Sequence, residues 1–164
     1  MPQPCKTQGK FLVLSKESHK KKSASRLLSV QILFEMEASG KNTKTVIKRL
    51  TGEYLKEISR LNKNEVSDKD YLIKILNGVS FHQKEIDKDI EDNLNNWALS
   101  RIDSVSRAIL RSACYEIREC LDVPPKVTIN EYVNISKSFF SSKEPNFINA
   151  ILDSIARINR KNEI

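Results

Sequence analysis

The segment from Asp103 to Pro125 constrains the fold more than any other part of the chain. Its apolar residues recur at a helical spacing and form a wide stripe: Val105, Ala108, Ile109, Leu110, Ala113, Cys114, Ile117 and Leu121. Recurrence every three to four residues is the period of an α-helix, and a stripe this wide indicates a helix buried on most sides. Such a helix needs several neighbours to cover it, so the segment predicts the centre of a helical bundle.

Local signals for helix ends surround this segment. Asp103 is a suitable N-cap, and Pro124-Pro125 should end the helix because neither proline has an amide to donate. Thr128 and Glu131 have the spacing of a capping box, which predicts the start of the next helix. Pro145 suits the first position of a last helix.

The N-terminal half shows the same helical period with weaker boundaries. We expect one helix from Ser23 or Ser25, a second from Asn42 or Thr43 to about Leu61, and a third after residues 67–70. A fourth helix follows, which is either separated from the third by a break near residue 80 or continuous with it. No credible strand appears, and four glycines and five prolines are few for a β-sandwich. The sequence therefore predicts an all-α fold, a bundle of six or seven helices.

Positive charge is concentrated at the N-terminus. Residues 1–26 contain seven lysines and arginines against the single acid Glu17, so they hold +6 of the net charge of +7. Such a segment is typical of an arm that contacts nucleic acid, although a solvated tail has the same composition. Residues 1–21 show no helical period, so we predict a flexible basic extension over 1–21 and a helical domain over 22–164.

Enzyme chemistry finds no support in the sequence. It contains no glycine-rich phosphate loop, no H-E-x-x-H and no cysteine–histidine metal cluster, so we predict no catalytic residue, no metal and no cofactor. His19 and His82 are isolated from each other. Glu116 lies in the most apolar helix, where its simplest role is as a partner for Arg111, Arg118 or a backbone amide.

The three cysteines, Cys5, Cys114 and Cys120, indicate the compartment. Their number is odd, and Cys114 and Cys120 do not face each other on a helix. Reduced, buried thiols are the simplest interpretation. No signal peptide and no apolar stretch of about 20 residues is present. We therefore expect a cytoplasmic protein with no membrane association.

Several short blocks, in order and in register, resemble the transcription antitermination factor NusB family. The blocks are Arg26–Phe34 (RLLSVQILF), Arg101-Ile-Asp103, Ile109–Glu116, Asp122-Val-Pro124, Val127–Glu131, Ser136–Phe139, Phe147-Ile-Asn149 and Leu152-Asp153. The similarity covers residues 22–158; it is strong from 97 to 153 and weak from 40 to 95.

The resemblance implies a fold of two helical subdomains and an RNA-binding protein rather than an enzyme. Members of this family bind the boxA element of nascent RNA together with NusE, a small-subunit ribosomal protein, including in ribosomal RNA operons. The pair joins an antitermination complex on RNA polymerase. Self-association into a homodimer stays open.

The basic RNA-contacting positions of the family are matched unevenly. Arg26 matches a family arginine in the first helix, and Lys22 keeps the charge of another basic position without the two-pronged guanidinium. Ser23 and Ala24 stand where many relatives have further arginines. We expect the two lysines immediately upstream, Lys20 and Lys21, to supply the missing charge.

Two aromatic positions complete the implied RNA site. Phe34 keeps the ring of the family's usual tyrosine, and Phe147 matches an aromatic residue at the RNA surface. Ala150 replaces the usual glycine after Asn149. Lys137 and Lys143 are candidates to extend the basic face. The predicted RNA-binding residues are Lys20, Lys21, Lys22, Arg26, Phe34 and Phe147.

Two other functions are compatible with a helical fold. One is the related helical domain attached to certain ribosomal RNA methyltransferases, but this sequence contains no methyl-donor-binding motif. The other is a helical adaptor that contacts proteins and no specific RNA. RNA binding measured with and without NusE distinguishes the adaptor from the antitermination factor.

Overall fold

A computed structural model describes residues 6–50, 56, 60, 67–141 and 143–164 of the chain. These residues form seven α-helices: α1 (Lys6–Ser39), α2 (Thr43–Leu50), α3 (Lys69–Phe81), α4 (Gln83–Asp92), α5 (Ser104–Glu119), α6 (Pro125–Phe139) and α7 (Lys143–Asn159). Two short 3-10 helices, Leu99–Arg101 and Lys161–Glu163, complete them, and no strand occurs in the described part, so the all-α prediction is confirmed. None of the helices described is both long and apolar enough to cross a bilayer.

The first helix begins much earlier than predicted. α1 starts at Lys6 and runs without a break across the predicted boundary between residues 21 and 22, so the predicted start at Ser23 or Ser25 is wrong. Lysine, glutamate and leucine are good helix formers, and no proline occurs within α1, so the helix persists where its apolar stripe is absent. The Ser25 hydroxyl instead lies 2.7 Å from the Asp68 carbonyl oxygen, which ties α1 to the start of α3.

The short polar caps are largely where the sequence predicts them. Asp68 and Asp103 each accept a hydrogen bond from the backbone amide three residues further on, at 3.0 and 2.8 Å. Asn42 does the same at the start of α2, at 2.9 Å. His82 separates α3 from α4, close to the predicted break. Most of the predicted helical stretch between Leu50 and Leu61 lies outside the described residues.

The capping box predicted at Thr128 is wrong. α6 begins at Pro125, three residues earlier, so the proline pair opens α6, whereas α5 has already ended at Glu119. A proline at the first helical position has the required φ angle and lacks an amide that would have no partner there. Thr128 is therefore inside the helix, and the carboxylate of Glu131 is free of any capping role.

The buried centre of the bundle is α5, as predicted. It packs against α1, α3, α4, α6 and α7, and its completely buried apolar residues are Ile109, Leu110, Ala113, Cys114 and Ile117. Leu121, the last residue of the predicted stripe, lies beyond the end of α5 and is 68% exposed. These five helices surround α5, and two of them, α1 and α6, also contact each other.

A second, smaller hydrophobic cluster joins α1, α2 and α3. It consists of Leu28, Ile32, Val46, Leu50, Leu72 and Leu76. Val30 of α1 belongs to the main cluster instead. α1 therefore contributes to both clusters, which holds its middle part firmly against the rest of the bundle.

Candidate RNA interface

An open groove of about 810 Å³ lies between α1 and α6. Its lining residues are Glu17, His19, Lys20, Lys21, Ser23, Ala24 and Leu27 from α1, and Glu131, Asn134, Ile135 and Ser138 from α6. Lys20 and Lys21, two of the predicted RNA-binding residues, are both exposed here. Exposed lysines attract phosphate groups, so this groove is the best candidate for contact with a nucleic-acid strand.

The α6 side of the groove was not predicted from the sequence. Glu131, Asn134 and Ser138 follow one another at spacings of three and four residues, so they share one face of α6. Apart from the place of Glu131 in the family-like block Val127–Glu131, that spacing is the sequence signal for them. A polar stripe on an amphipathic helix usually faces solvent without further function, and only the position of α1 turns this stripe into a groove wall.

Lys22 lies on a different side of α1 from the groove. Its side chain is half-buried, and its Nζ lies 5.1 Å from the centre of the Tyr71 ring. This distance is typical of a cation–π contact. Three successive residues of an α-helix point in directions about 100° apart, so Lys20, Lys21 and Lys22 cannot all line one groove. The structure thus brings together two of the three predicted lysines.

Arg26 is buried, with only 1% of its side chain exposed. Its guanidinium makes a two-pronged contact with Glu116, from Nε to Oε2 at 2.9 Å and from Nη2 to Oε1 at 3.0 Å. The partner of Glu116 is therefore Arg26 of α1. The sequence-based prediction of Arg111 or Arg118 as its partner is wrong. Direct contact of Arg26 with RNA conflicts with this burial, because no part of the guanidinium is open to a phosphate.

Two tyrosines complete the buried charged cluster. Tyr71 donates its hydroxyl to Glu116 and accepts a hydrogen bond from Arg26 Nη2 at 3.2 Å. Burial alone would lower the pKa of Arg26, but the hydrogen bonds and charge of Glu116 outweigh it and raise that pKa. Burial, reinforced by Glu116, raises the pKa of Tyr71 and of Tyr132. Arg26 therefore stays charged and both tyrosines stay protonated, so the cluster is a fixed structural unit.

The remaining nitrogen of Arg26 points toward the groove wall. Nη1 is buried and makes no hydrogen bond to any residue that the structure describes. It lies 3.5 Å from Oε2 of Glu131, whose side chain is 24% exposed. Glu131 thus lies between the buried cluster and the groove.

The two predicted rings are partly exposed. Phe34 on α1 is 40% exposed, and Phe147 near the start of α7 is 42% exposed. Neither ring lines the groove. Lys137 and Lys143, on either side of the connection between α6 and α7, are also exposed. Both rings are therefore partly accessible, unlike the apolar side chains of the core.

No metal-binding cluster is found among the described residues. No three histidine, cysteine, aspartate or glutamate side chains among them are grouped so that they could hold a metal ion. Cys114 and Cys120 are buried and unpaired, as predicted, and burial raises the pKa of Cys114 to about 12. A thiol with so high a pKa is a poor nucleophile near neutral pH.

Comparison with known proteins agrees with the fold. The model of the NusB family matches residues 23–157. Transcription antitermination protein NusB of Bartonella tribocorum is 39% identical over 147 residues, 85% of this chain and 90% of that protein. T. maritima NusB has a TM-score of 0.63 at 27% identity, over 82% of this chain and 89% of that one. NusB from Aquifex aeolicus, solved in solution, has a TM-score of 0.65 at 25% identity, over 87% and 93%. The chain therefore belongs to the NusB family.

Proposed function

We propose that this protein is a transcription antitermination factor that binds boxA-like single-stranded RNA together with NusE, including in ribosomal RNA operons. The observation that carries the proposal is the groove between α1 and α6, which has exposed lysines on one side and hydrogen-bonding side chains on the other. Single-stranded RNA needs both, because phosphates bind cations and unpaired bases present their edges for hydrogen bonding. This function is exercised in the cytoplasm, where RNA is synthesised.

Each predicted residue is proposed to contact RNA in a way that fits its exposure. Lys20 and Lys21 bind phosphates directly, and Lys22 adds a weaker charge from the neighbouring side of α1. Arg26 supports the site from within the protein. Phe34 and Phe147 each offer a partly exposed ring on which a base can stack.

NusE is proposed to bind beside the RNA, and the pair to join an antitermination complex on RNA polymerase. The cations of this chain in the groove are few, so we expect weak binding of RNA by the protein alone. A partner that adds charged surface next to the groove increases the number of phosphate contacts and therefore the affinity. Homodimerisation is an alternative use of the surface that NusE would cover.

The test is fluorescence anisotropy with a labelled boxA RNA and a scrambled RNA of the same length. Each is titrated with the protein, with and without NusE, at two salt concentrations. We expect a preference for boxA that NusE strengthens and salt weakens. Equal binding of both RNAs would mean that the groove binds polyanions without sequence specificity.

The double variant Lys20→Ala/Lys21→Ala tests the groove itself. Each phosphate contact in a single strand contributes about 0.7 to the slope of log affinity against log salt, so losing two should reduce that slope by about 1.4. The matched control is Lys84→Ala/Lys161→Ala, which removes two exposed lysines outside the groove. If both double variants behave alike, the groove is not the RNA site.

A protein-binding adaptor is the second candidate function. The observation that favours it is a set of strongly exposed apolar side chains, Phe81, Trp97, Leu121 and Ile158, each at least 62% exposed. Exposed large apolar side chains are common at protein interfaces when they form a contiguous patch. Binding of NusE without binding of either RNA would support this function and exclude the first.

A further inference from the structure

The two walls of the groove differ in chemistry. The α1 wall has Lys20 and Lys21, together with His19, and its one acid is Glu17. The α6 wall has no cation among its lining residues and consists of a carboxylate, an amide, a hydroxyl and the apolar Ile135. A strand lying in this groove experiences attraction to its phosphates on one side only. Its sugar–phosphate backbone should therefore follow α1, which turns its bases toward α6.

Glu131 is the charged group on the base-facing wall. A carboxylate repels phosphate, so at a phosphate-binding position it would weaken RNA binding. The same carboxylate has only acceptor oxygens, and the edges of bases offer N–H donors to it. The position of Glu131 is therefore favourable for a base and unfavourable for the backbone.

The Glu131 carboxylate is also held in place from behind. Oε2 lies 3.5 Å from Nη1 of Arg26, and Arg26 is itself fixed by its two-pronged contact with Glu116. A side chain held by a buried cation loses little conformational freedom when it binds a ligand, which increases its power to discriminate. Glu17, the other acid in the groove, lies on the exposed face of α1 without an ion pair among the described residues.

We propose that Glu131 determines base specificity, accepting hydrogen bonds from the edge of a guanine, and that Arg26 is its positioning residue. Guanine is the base that fits best because its N1–H and 2-amino groups lie side by side and match the two oxygens of a carboxylate. On that edge uracil offers one N–H, and adenine and cytosine offer one amino group each. This inference rests on the proposed function and adds to it the residue that reads the sequence.

The experiment uses inosine, which differs from guanosine only by lacking the 2-amino group. Each guanine of the boxA RNA is replaced in turn by inosine, and anisotropy titrations are made with the wild-type protein and Glu131→Gln. For wild type, we expect one position at which inosine weakens binding about tenfold, the usual effect of losing a hydrogen bond to a charged group. With Glu131→Gln the penalty at that position should fall to less than about threefold.

The matched control is Glu17→Gln, which neutralises the other carboxylate of the groove and should leave the inosine penalty unchanged. Arg26→Lys keeps the positive charge but loses the planar fork, so it should reduce the penalty as Glu131→Gln does. If Arg26→Lys does not fold, the comparison of the two glutamate variants still decides the role of Glu131.

The outcomes separate this inference from the function on which it rests. A wild-type protein that does not prefer boxA to scrambled RNA overturns the proposed function. A protein that prefers boxA but shows no inosine penalty at any position, or the same penalty in Glu131→Gln, overturns the role of Glu131 alone. A penalty lost equally in Glu17→Gln also overturns it, because the effect would then be one of general charge.

Discussion

The contact between Arg26 and Glu116 is a charged pair almost completely removed from water, with side chains 1% and 0% exposed. Transfer of two charges from water costs several kcal/mol per ion, and the cost is offset only when geometry and additional hydrogen bonds are good. Here the contact is two-pronged, and the Tyr71 hydroxyl binds the same carboxylate. Removing either charge leaves the other buried without compensation.

Replacing Glu116 by alanine should therefore lower the free energy of unfolding by about 3–5 kcal/mol. The measurement is urea denaturation followed by circular dichroism at 222 nm. The double variant Arg26→Met/Glu116→Leu should recover much of the loss, because it removes both charges and fills the space with apolar groups.

The control for this prediction is Glu119→Ala, which removes an exposed carboxylate from the last turn of α5. Its Oε1 lies 3.7 Å from Nε of Arg118. Ion pairs of this kind at the surface contribute little to stability. A Glu116→Ala protein as stable as Glu119→Ala would show that the buried pair is not needed for the fold.

Among the helix contacts, that of α3 with α5 leaves no room for a side chain at Gly78. A methyl group built on Gly78 would overlap the ring of Tyr115 on α5, which is only 6% exposed and has little room to move. Glycine usually weakens a helix by about 1 kcal/mol relative to alanine. At this position the close packing of the two helices outweighs that cost.

Gly78→Ala should accordingly destabilise the protein, by about 1–3 kcal/mol, although alanine is the better helix former. The thermal midpoint of unfolding reports the change. Asn77→Ala, at the exposed neighbouring position of α3, should shift stability by no more than about 0.5 kcal/mol. An increase in stability in Gly78→Ala would mean that α3 and α5 can separate at no cost.

Local patterns predicted the helices well and the contacts between helices poorly. Asp68 and Asp103 are caps in the structure because a cap depends on residues three positions away. The start of α1 was predicted wrongly because lysine-rich sequence stays helical without an apolar stripe. The capping role of Glu131 was predicted wrongly because α6 begins at Pro125 and not at Thr128. Arg26 pairs with a residue 90 positions later, and no local pattern contains such a contact.

For the whole molecule, the family is shown by its relatives, whereas the position of the RNA site is a proposal. The relatives are named transcription antitermination proteins, and belonging to their family confirms the prediction that the chain is not an enzyme. The groove arises from two helices that are remote in sequence, so the sequence predicted its α1 wall by resemblance and missed its α6 wall. The rings of Phe34 and Phe147 remain a prediction, since they lie outside the groove.

Base stacking on these two rings can be tested by removing each of them. Phe34→Ser and Phe147→Ser should each weaken boxA binding by about 1–3 kcal/mol, the contribution of stacking one base on an aromatic ring. The salt dependence should not change, because no charge is removed. Anisotropy without NusE measures both quantities.

Phe81→Ser serves as the control, since Phe81 is 83% exposed at the end of α3 and is not among the predicted RNA-binding residues. A loss of affinity in Phe81→Ser equal to that in the other two variants would indicate a general effect on the surface, not stacking at particular positions.

The 90 residues between Arg26 and Glu116 also bear on how the protein is made. A ribosome adds about 5–20 residues per second, so α1 leaves it roughly 5–20 s before its buried partner does. During that interval Arg26 remains hydrated and the groove has only one wall, because α6 is translated later still. The proposed RNA site therefore has its lysines early in synthesis and gains its α6 wall, with Glu131, only when synthesis is nearly complete.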